Sequence, residues 1–205
     1  MTPDVKDAAM SRDHGDSKLG MWLFLASVAL FFAGPFLLFA AYGYRYPGGF
    51  AAASAELDVV LGAAGAMALL TGSLAVALAV GAVRRGRGAR AVLFLYAAAL
   101  LGFVFLGVRA VEWAGYLSRG LRPGGPALAA APGGKAVFFG LYFFITGLHA
   151  LGVLGGSVLL LVMAAMVRRG AAARPGAARL EKTGLIWHMA SIILVYIYQL
   201  FYITG

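Results

Sequence analysis

The sequence AVLFLYAAALLGFVFLGVRAVEWAGY occupies residues 91–116, and the fold class follows from it. Its first 18 residues carry no charge, and a helix crosses a bilayer with about 20 apolar residues. Because lipid offers no partner to a free backbone amide, such a stretch must be helical. A transmembrane β-barrel would show alternating hydrophobicity in stretches of about ten residues, and this sequence does not alternate.

The remainder of the chain has the same character. Of its 205 residues, 62% are hydrophobic and 12% are charged, and the mean hydropathy is +0.87. A soluble domain has about 45–50% apolar and roughly 25% charged residues, so an ordinary soluble domain is excluded. We predict an all-α integral membrane five-helix bundle. Residues 1–18 form a cytoplasmic tail and residues 19–205 one membrane domain, with helices at about 19–44, 57–83, 90–117, 135–167 and 182–204.

Lysine and arginine are distributed unevenly between the two ends of these helices. Cytoplasmic loops are enriched in positive residues, so the N terminus is predicted in the cytoplasm and the C terminus outside. Because the basic residues lie between apolar blocks rather than along one face, nucleic-acid binding is not expected. Twelve fall on the predicted cytoplasmic side (Lys6, Arg12, Lys18, Arg84, Arg85, Arg87, Arg90, Arg168, Arg169, Arg174, Arg179, Lys182) and four on the other (Arg45, Arg119, Arg122, Lys135).

Arg109 and Glu112 are the charged residues embedded in a predicted span. They are three residues apart, so they share one helix face and can pair. The uncharged run before them already covers about 27 Å of helix, which predicts that both lie near the outer interface. Trp113 and Tyr116 follow and predict an aromatic belt there. The alternatives are a structural ion pair, or a role toward lipid, a partner or a proton.

The three histidines are His14, His149 and His188. Two histidines facing each other at matched depth could hold haem. By helical rise, however, His149 lies about 27 Å and His188 about 8 Å from the cytoplasmic side, a mismatch of roughly 19 Å. A stand-alone haem-binding electron carrier is therefore the less favoured alternative. We expect His149 to hydrogen-bond within the bundle, His188 to lie near the inner interface and His14 to be solvated.

The chain has no cysteine and 29 glycines. The lack of cysteine excludes disulfides, thiolate metal sites and Fe–S clusters. Gly152-x-x-x-Gly156 predicts a close helix approach, either inside the bundle or against another subunit. Paired carboxylates, a nucleophile with its base, a phosphate loop and metal-ligand spacing are all missing from the sequence, so we predict no catalytic, cofactor-binding or metal residues.

Four sets of residues carry a family resemblance. They are KLGMWLFLAS at residues 18–27 with FFAG at 31–34, FLGVRAVEW at 105–113, FFITGLH at 143–149, and Trp187-His188. In order and spacing they resemble the five-helix bacterial form of subunit III of haem–copper oxidases (cytochrome c or quinol oxidases), from about Lys18 to Gly205. The family usually has Glu, a second His, Asp and Gln where this chain has Val28, Gly152, Ser191 and Arg109, so the resemblance is to a divergent member.

The resemblance implies a non-catalytic subunit of a respiratory oxidase that reduces oxygen and pumps protons in the bacterial cytoplasmic membrane. Haem and copper would lie in subunit I, which this chain would flank together with subunit II and phospholipids. The helices would enclose a lipid-filled cleft and support proton uptake. The electron donor, cytochrome c or quinol, stays open, as does the alternative of an accessory subunit III-like protein of a nitric oxide reductase. Lipid or inter-helix contacts would fall to Trp22, Arg109, Glu112, His149, Trp187 and His188.

Overall fold

The computed structural model describes residues 3–129, 131, 133–170 and 174–203, with side chains for all of these except residues 3–18, 126, 129 and 174–176. Within these ranges the regular structure is entirely helical. The helices are α1 (Pro3–Arg45), α2 (Pro47–Ser54), α3 (Val59–Arg84), α4 (Gly88–Ser118), α5 (Pro126–Ala129), α6 (Lys135–Arg168) and α7 (Arg174–Tyr198), which ends in a π-helical turn (Gln199–Ile203).

Five segments are long and apolar enough to cross a membrane, which confirms the predicted all-α class and its five spans. The side of the membrane on which each terminus lies stays a prediction. The segments are Leu19–Arg45, Val59–Arg84, Gly88–Ser118, Lys135–Arg168 and Ala177–Ile203.

The chain divides into two compact units between Leu37 and Leu38. In the first unit, most side chains after Leu19 are exposed, including Trp22 at 67%. Phe32 is buried, and its ring centroid lies 6.0 Å from that of Phe36. The backbone of residues 3–18 continues the same helix as the first span. The polar N-terminal segment is thus helical from Pro3 onward, and its assignment as a cytoplasmic tail stays a prediction.

In the second unit, α1 is followed by a short helix that the sequence did not predict. Pro47 stands at the start of α2 and disfavours the helical conformation in the residue before it. Tyr46 accordingly has φ −129° and ψ 56°, which separates α2 from α1. Phe50 of α2 is buried, with its ring centroid 5.0 Å from Phe39 and 5.3 Å from Phe138. This short helix therefore packs its aromatic side chain against α6.

Four helices form a closed ring in the second unit, because α3 and α6 each pack against both α4 and α7. Their contact surfaces are rich in alanine, which allows helix axes to approach closely and gives dispersion contacts along the whole interface. The fully buried alanines include Ala79, Ala82, Ala91, Ala98 and Ala164.

Trp187 of α7 occupies the centre of this ring and is 1% exposed. Three glycines surround its indole. A Cβ atom added to Gly72 of α3 or to Gly156 of α6 would lie 3.3 or 3.2 Å from the indole, respectively. A Cβ atom added to Gly102 of α4 would lie only 2.7 Å from it. Since real Cβ contacts are essentially never shorter than 3.0 Å, the indole requires glycine at residue 102, while a Cβ atom at residue 72 or 156 would make an unusually tight contact. These three glycines form what we call the glycine cradle.

The two glycines of the Gly152-x-x-x-Gly156 motif have different surroundings. Gly156 belongs to the glycine cradle, whereas a Cβ atom on Gly152 would meet no described atom within 4 Å. Gly156 therefore allows close packing inside the ring, which is one of the two predicted alternatives, while Gly152 lies on the exposed side of α6.

Candidate functional site

Helix α4 brings two opposite charges into the interior of the second unit. Arg109 and Glu112 are one turn apart and are only 4% and 3% exposed. Arg109 Nη1 lies 2.5 Å from Glu112 Oε2. A lone charge in lipid or in a protein interior is costly, and it is tolerated when an opposite charge and hydrogen bonds compensate it. The i, i+3 spacing thus produces an ion pair that protein atoms enclose.

Three tyrosines from different elements complete this pair. Arg109 Nη1 donates to the hydroxyl of Tyr142 on α6 at 2.9 Å and to that of Tyr202 in the π-helical turn at 3.0 Å. Tyr116 of α4 donates to Glu112 Oε1 at 2.9 Å, and Tyr202 donates to the same oxygen. We call these five residues the Arg–Glu–Tyr cluster.

The direction of each hydrogen bond in the cluster can be assigned. Because Tyr202 donates its single hydroxyl hydrogen to Glu112, it must accept from Tyr142, whose oxygen lies 3.3 Å away. Tyr116 accepts from the backbone N–H of Asp58 at 3.0 Å, which attaches the start of α3 to the cluster. The network therefore ties α3, α4, α6 and the end of α7 together.

Two local features place Tyr202 against the ion pair. A Cβ atom on Gly62 of α3 would lie 2.7 Å from the Tyr202 ring, so the tyrosine can approach only because residue 62 is glycine. The change from α- to π-helical hydrogen bonding at Gln199 widens the last turn of α7. Such turns are rare and are frequent at functional sites.

The cluster continues inward through aromatic contacts. The Arg109 guanidinium lies 5.5 Å from the Phe105 ring centroid, a cation–π geometry. The Phe105 ring in turn meets the His149 ring edge-on, with centroids 5.5 Å apart. His149 Nε2 is 2.9 Å from the Ala190 carbonyl oxygen, to which it donates. His149 therefore joins α6 to α7 by a buried hydrogen bond.

The other predicted residues do not belong to this cluster. Trp187 lies in the glycine cradle, and His188 Nδ1 lies 2.5 Å from Ser73 Oγ on α3. Trp22 lies in the first unit and is exposed. His14 falls outside the residues whose side chains are described. Of the predicted residues, the structure thus brings Arg109 and Glu112 together. The Phe105 ring lies between Arg109 and His149 and contacts both.

The predicted aromatic belt is wrong for Tyr116. This side chain is 1% exposed and hydrogen-bonds to Glu112, because the connection between α2 and α3 covers the C-terminal end of α4. Sequence reasoning also missed Tyr142 and Tyr202. Their signal was present, since a tyrosine hydroxyl inside an apolar span needs a hydrogen-bond partner, and an intramembrane ion pair supplies one.

The two span histidines do not share a site that fits haem. His149 is 3% exposed and is bonded to the carbonyl of Ala190, whereas His188 is bonded to Ser73 on a different helix. Positions 188 and 190 are two residues apart and so point to nearly opposite sides of α7. No group of three or more His, Cys, Asp or Glu residues suited to a metal occurs among the described residues.

Comparison with known proteins reproduces the family assignment over almost the whole chain. No family model matches the chain. It is 26% identical to the cytochrome bo(3) ubiquinol oxidase subunit 3 of Pseudomonas aeruginosa, covering 98% of this chain and 94% of that protein. It is 27% identical to the probable quinol oxidase subunit 3 of Staphylococcus aureus strain USA300, covering 95% and 93% respectively. Together with the five spans, this near-full-length similarity supports the assignment of the chain as a divergent member of the oxidase subunit III family.

Proposed function

We propose that this subunit belongs to a quinol-oxidising terminal oxidase of the bacterial cytoplasmic membrane, where it supports subunit I and contributes no active site of its own. The observation that carries the proposal is the near-full-length similarity to two proteins named as quinol oxidase subunits 3. Haem and copper belong to subunit I in this proposal. Quinol, rather than cytochrome c, is the donor that these names favour.

The Arg–Glu–Tyr cluster supports a structural role. Its two charges are neutralised and its hydroxyl groups are all engaged. A group that exchanges protons or binds substrate usually lies open to water or to a ligand, whereas Arg109 and Glu112 are only 4% and 3% exposed. The cluster instead fixes the mutual position of four helix ends, and this gives subunit I a rigid surface to pack against.

Lipid contacts in this proposal fall on the exposed residues rather than on the buried ones. Arg85 and Arg169 are exposed immediately after the ends of α3 and α6. In the proposed orientation both face the cytoplasmic leaflet, where basic residues attract anionic phospholipids. Trp22, exposed in the first span, is suited to the bilayer interface.

Support of proton uptake is proposed to be indirect. The first span contains Val28 where the family usually has a carboxylate, so it offers no side chain that could relay a proton there. Glu112 is enclosed and paired. We therefore expect the subunit to preserve the proton-uptake geometry of subunit I, and its removal to shorten the lifetime of the oxidase during turnover.

The test is purification in mild detergent through a tag on the N terminus, followed by mass spectrometry and a reduced-minus-oxidised spectrum. Three results together would support the proposal. They are recovery with a haem–copper subunit I, quinol oxidase activity of the complex, and no haem on this chain once it is separated from the other subunits. Recovery with nitric oxide reductase subunits, or with an oxidase that accepts only cytochrome c, would contradict it. A chain that retains haem alone would contradict the non-catalytic role.

A further inference from the structure

A cavity of about 330 Å³ lies between α3 and α7, away from the Arg–Glu–Tyr cluster. Its walls are mainly apolar and include Ala77, Val80 and Leu185. Arg84 and Glu181 line one end, and His188 lines the cavity two turns further along α7. Small-molecule sites in proteins occupy about 300–1,000 Å³ and combine apolar walls with a few placed polar groups. This cavity has that composition.

His188 is held in place by a neighbour but keeps one nitrogen available. Its Nδ1 is engaged by Ser73 Oγ at 2.5 Å, and its Nε2 has no hydrogen-bond partner among the described residues. A serine hydroxyl can donate or accept, so it tolerates either imidazole tautomer. In one tautomer Nε2 donates a hydrogen bond, and in the other it accepts one. The imidazole can therefore bind a carbonyl or a hydroxyl at the same position.

The charges at the cavity end cancel. Arg84 Nη2 lies 2.9 Å from Glu181 Oε1, and Arg84 Nε donates to the same oxygen at 3.0 Å. The cavity lining thus has no net charge while His188 is neutral. An anionic lipid head group would have to compete with Glu181 for the guanidinium, whereas a neutral ring would not. The lining consequently favours an uncharged, largely apolar ligand with a polar oxygen.

We propose that this cavity binds the ring of a membrane quinone or its quinol, with His188 Nε2 hydrogen-bonded to a ring oxygen. The inference rests on the proposed function, which makes a quinol the substrate of the complex. The two redox forms present a carbonyl and a hydroxyl respectively, and the Ser73-supported imidazole accommodates both. The apolar tail lies along the exposed side of α3 at Leu74, which is 61% exposed. The site holds the ligand and transfers no electrons.

The test uses the complete complex in nanodiscs of defined phospholipid and a ring-azido ubiquinone as the photoreactive probe. We expect adducts in residues 77–84 or 181–188, displaced by excess decylubiquinone. Ala77→Phe fills the cavity from an exposed position and should abolish these adducts. Leu78→Phe, the next residue and absent from the lining, is its matched control and should leave them unchanged. His188→Phe should raise the probe concentration needed for half-maximal labelling about fivefold, which is the effect of one lost hydrogen bond.

The outcomes separate this inference from the function on which it rests. Equal labelling in the Ala77→Phe and Leu78→Phe complexes would overturn the inference. So would adducts that added phospholipid displaces and decylubiquinone does not. In either case, recovery of a quinol-oxidising complex would leave the proposed function intact. Recovery of an oxidase that uses cytochrome c alone would overturn both. Co-elution of each variant with the other subunits shows that it has folded.

Discussion

Replacing Tyr202 with phenylalanine removes one oxygen atom from the centre of the Arg–Glu–Tyr cluster. That hydroxyl donates to Glu112, accepts from Arg109 at 3.0 Å and lies 3.3 Å from the Tyr142 hydroxyl. The ring itself stays against Gly62, so packing is preserved. The substitution therefore measures the hydrogen bonds of one residue that joins the end of α7 to the ion pair.

The expected loss follows from the partners that remain. A hydrogen bond to a charged group contributes roughly 1.5–3 kcal/mol, whereas inter-helix hydrogen bonds in membranes average about 0.6 kcal/mol. Glu112 keeps Tyr116 and Arg109, and Arg109 keeps Tyr142, so neither charge is left unpaired. We expect Tyr202→Phe to lower the free energy of unfolding by about 2 kcal/mol, roughly a thirtyfold change in the unfolding equilibrium.

Tyr196→Phe is the matched control, because Tyr196 is 64% exposed on the same helix. It should change the free energy of unfolding by less than about 0.5 kcal/mol, as surface substitutions usually do. The assay is unfolding of the full-length chain in mixed micelles by increasing SDS, followed by tryptophan fluorescence. Equal midpoints for the two variants would refute the assignment of Tyr202 as a stabilising member of the cluster.

Three further substitutions test other parts of the fold in the same assay. Gly102→Ala inserts a methyl group into the glycine cradle and should lower the free energy of unfolding by more than about 2 kcal/mol. Its control is Gly107→Ala, where a methyl group meets open space on the same helix and should raise the free energy of unfolding by up to about 1 kcal/mol. Equal effects of the two substitutions would contradict the close packing of the cradle. Asp58→Ala should cost about 1 kcal/mol, because the Asp58 carboxylate accepts from two backbone N–H groups at the start of α3, and Asp58→Asn should restore most of it. Glu56→Gln should cost less than about 1 kcal/mol, since its ion pair with Lys135 is partly exposed; a larger loss would show that this pair is a major constraint.

Hydropathy was sufficient to predict the five spans, because the bilayer imposes both helix length and helical hydrogen bonding. Spacing along one helix was sufficient to predict the contact between Arg109 and Glu112. The contributions of Tyr142 and Tyr202 were not predicted, because they arrive from helices 30 or more residues away along the chain. Local periodicity contains no information on which helix faces meet.

The error at Tyr116 has a specific physical origin. An aromatic residue near the end of a span ordinarily faces the lipid interface, and the sequence offers no sign that another segment covers it. In the structure, the backbone N–H of Asp58 donates to the Tyr116 hydroxyl, so the start of α3 lies against the C-terminal end of α4. Short connecting helices such as α2 determine this coverage, and their positions follow from tertiary packing.

A respiring membrane carries a voltage, and the Arg109–Glu112 ion pair determines how α4 responds to it. An elementary charge crossing the full membrane gains or loses about 2.3 kcal/mol per 100 mV. Since the pair has no net charge and its charged atoms are 2.5 Å apart, the opposing electrical forces on α4 nearly cancel. Neutralising either partner would leave one uncompensated charge in the field and couple the packing of this helix to the energy state of the cell.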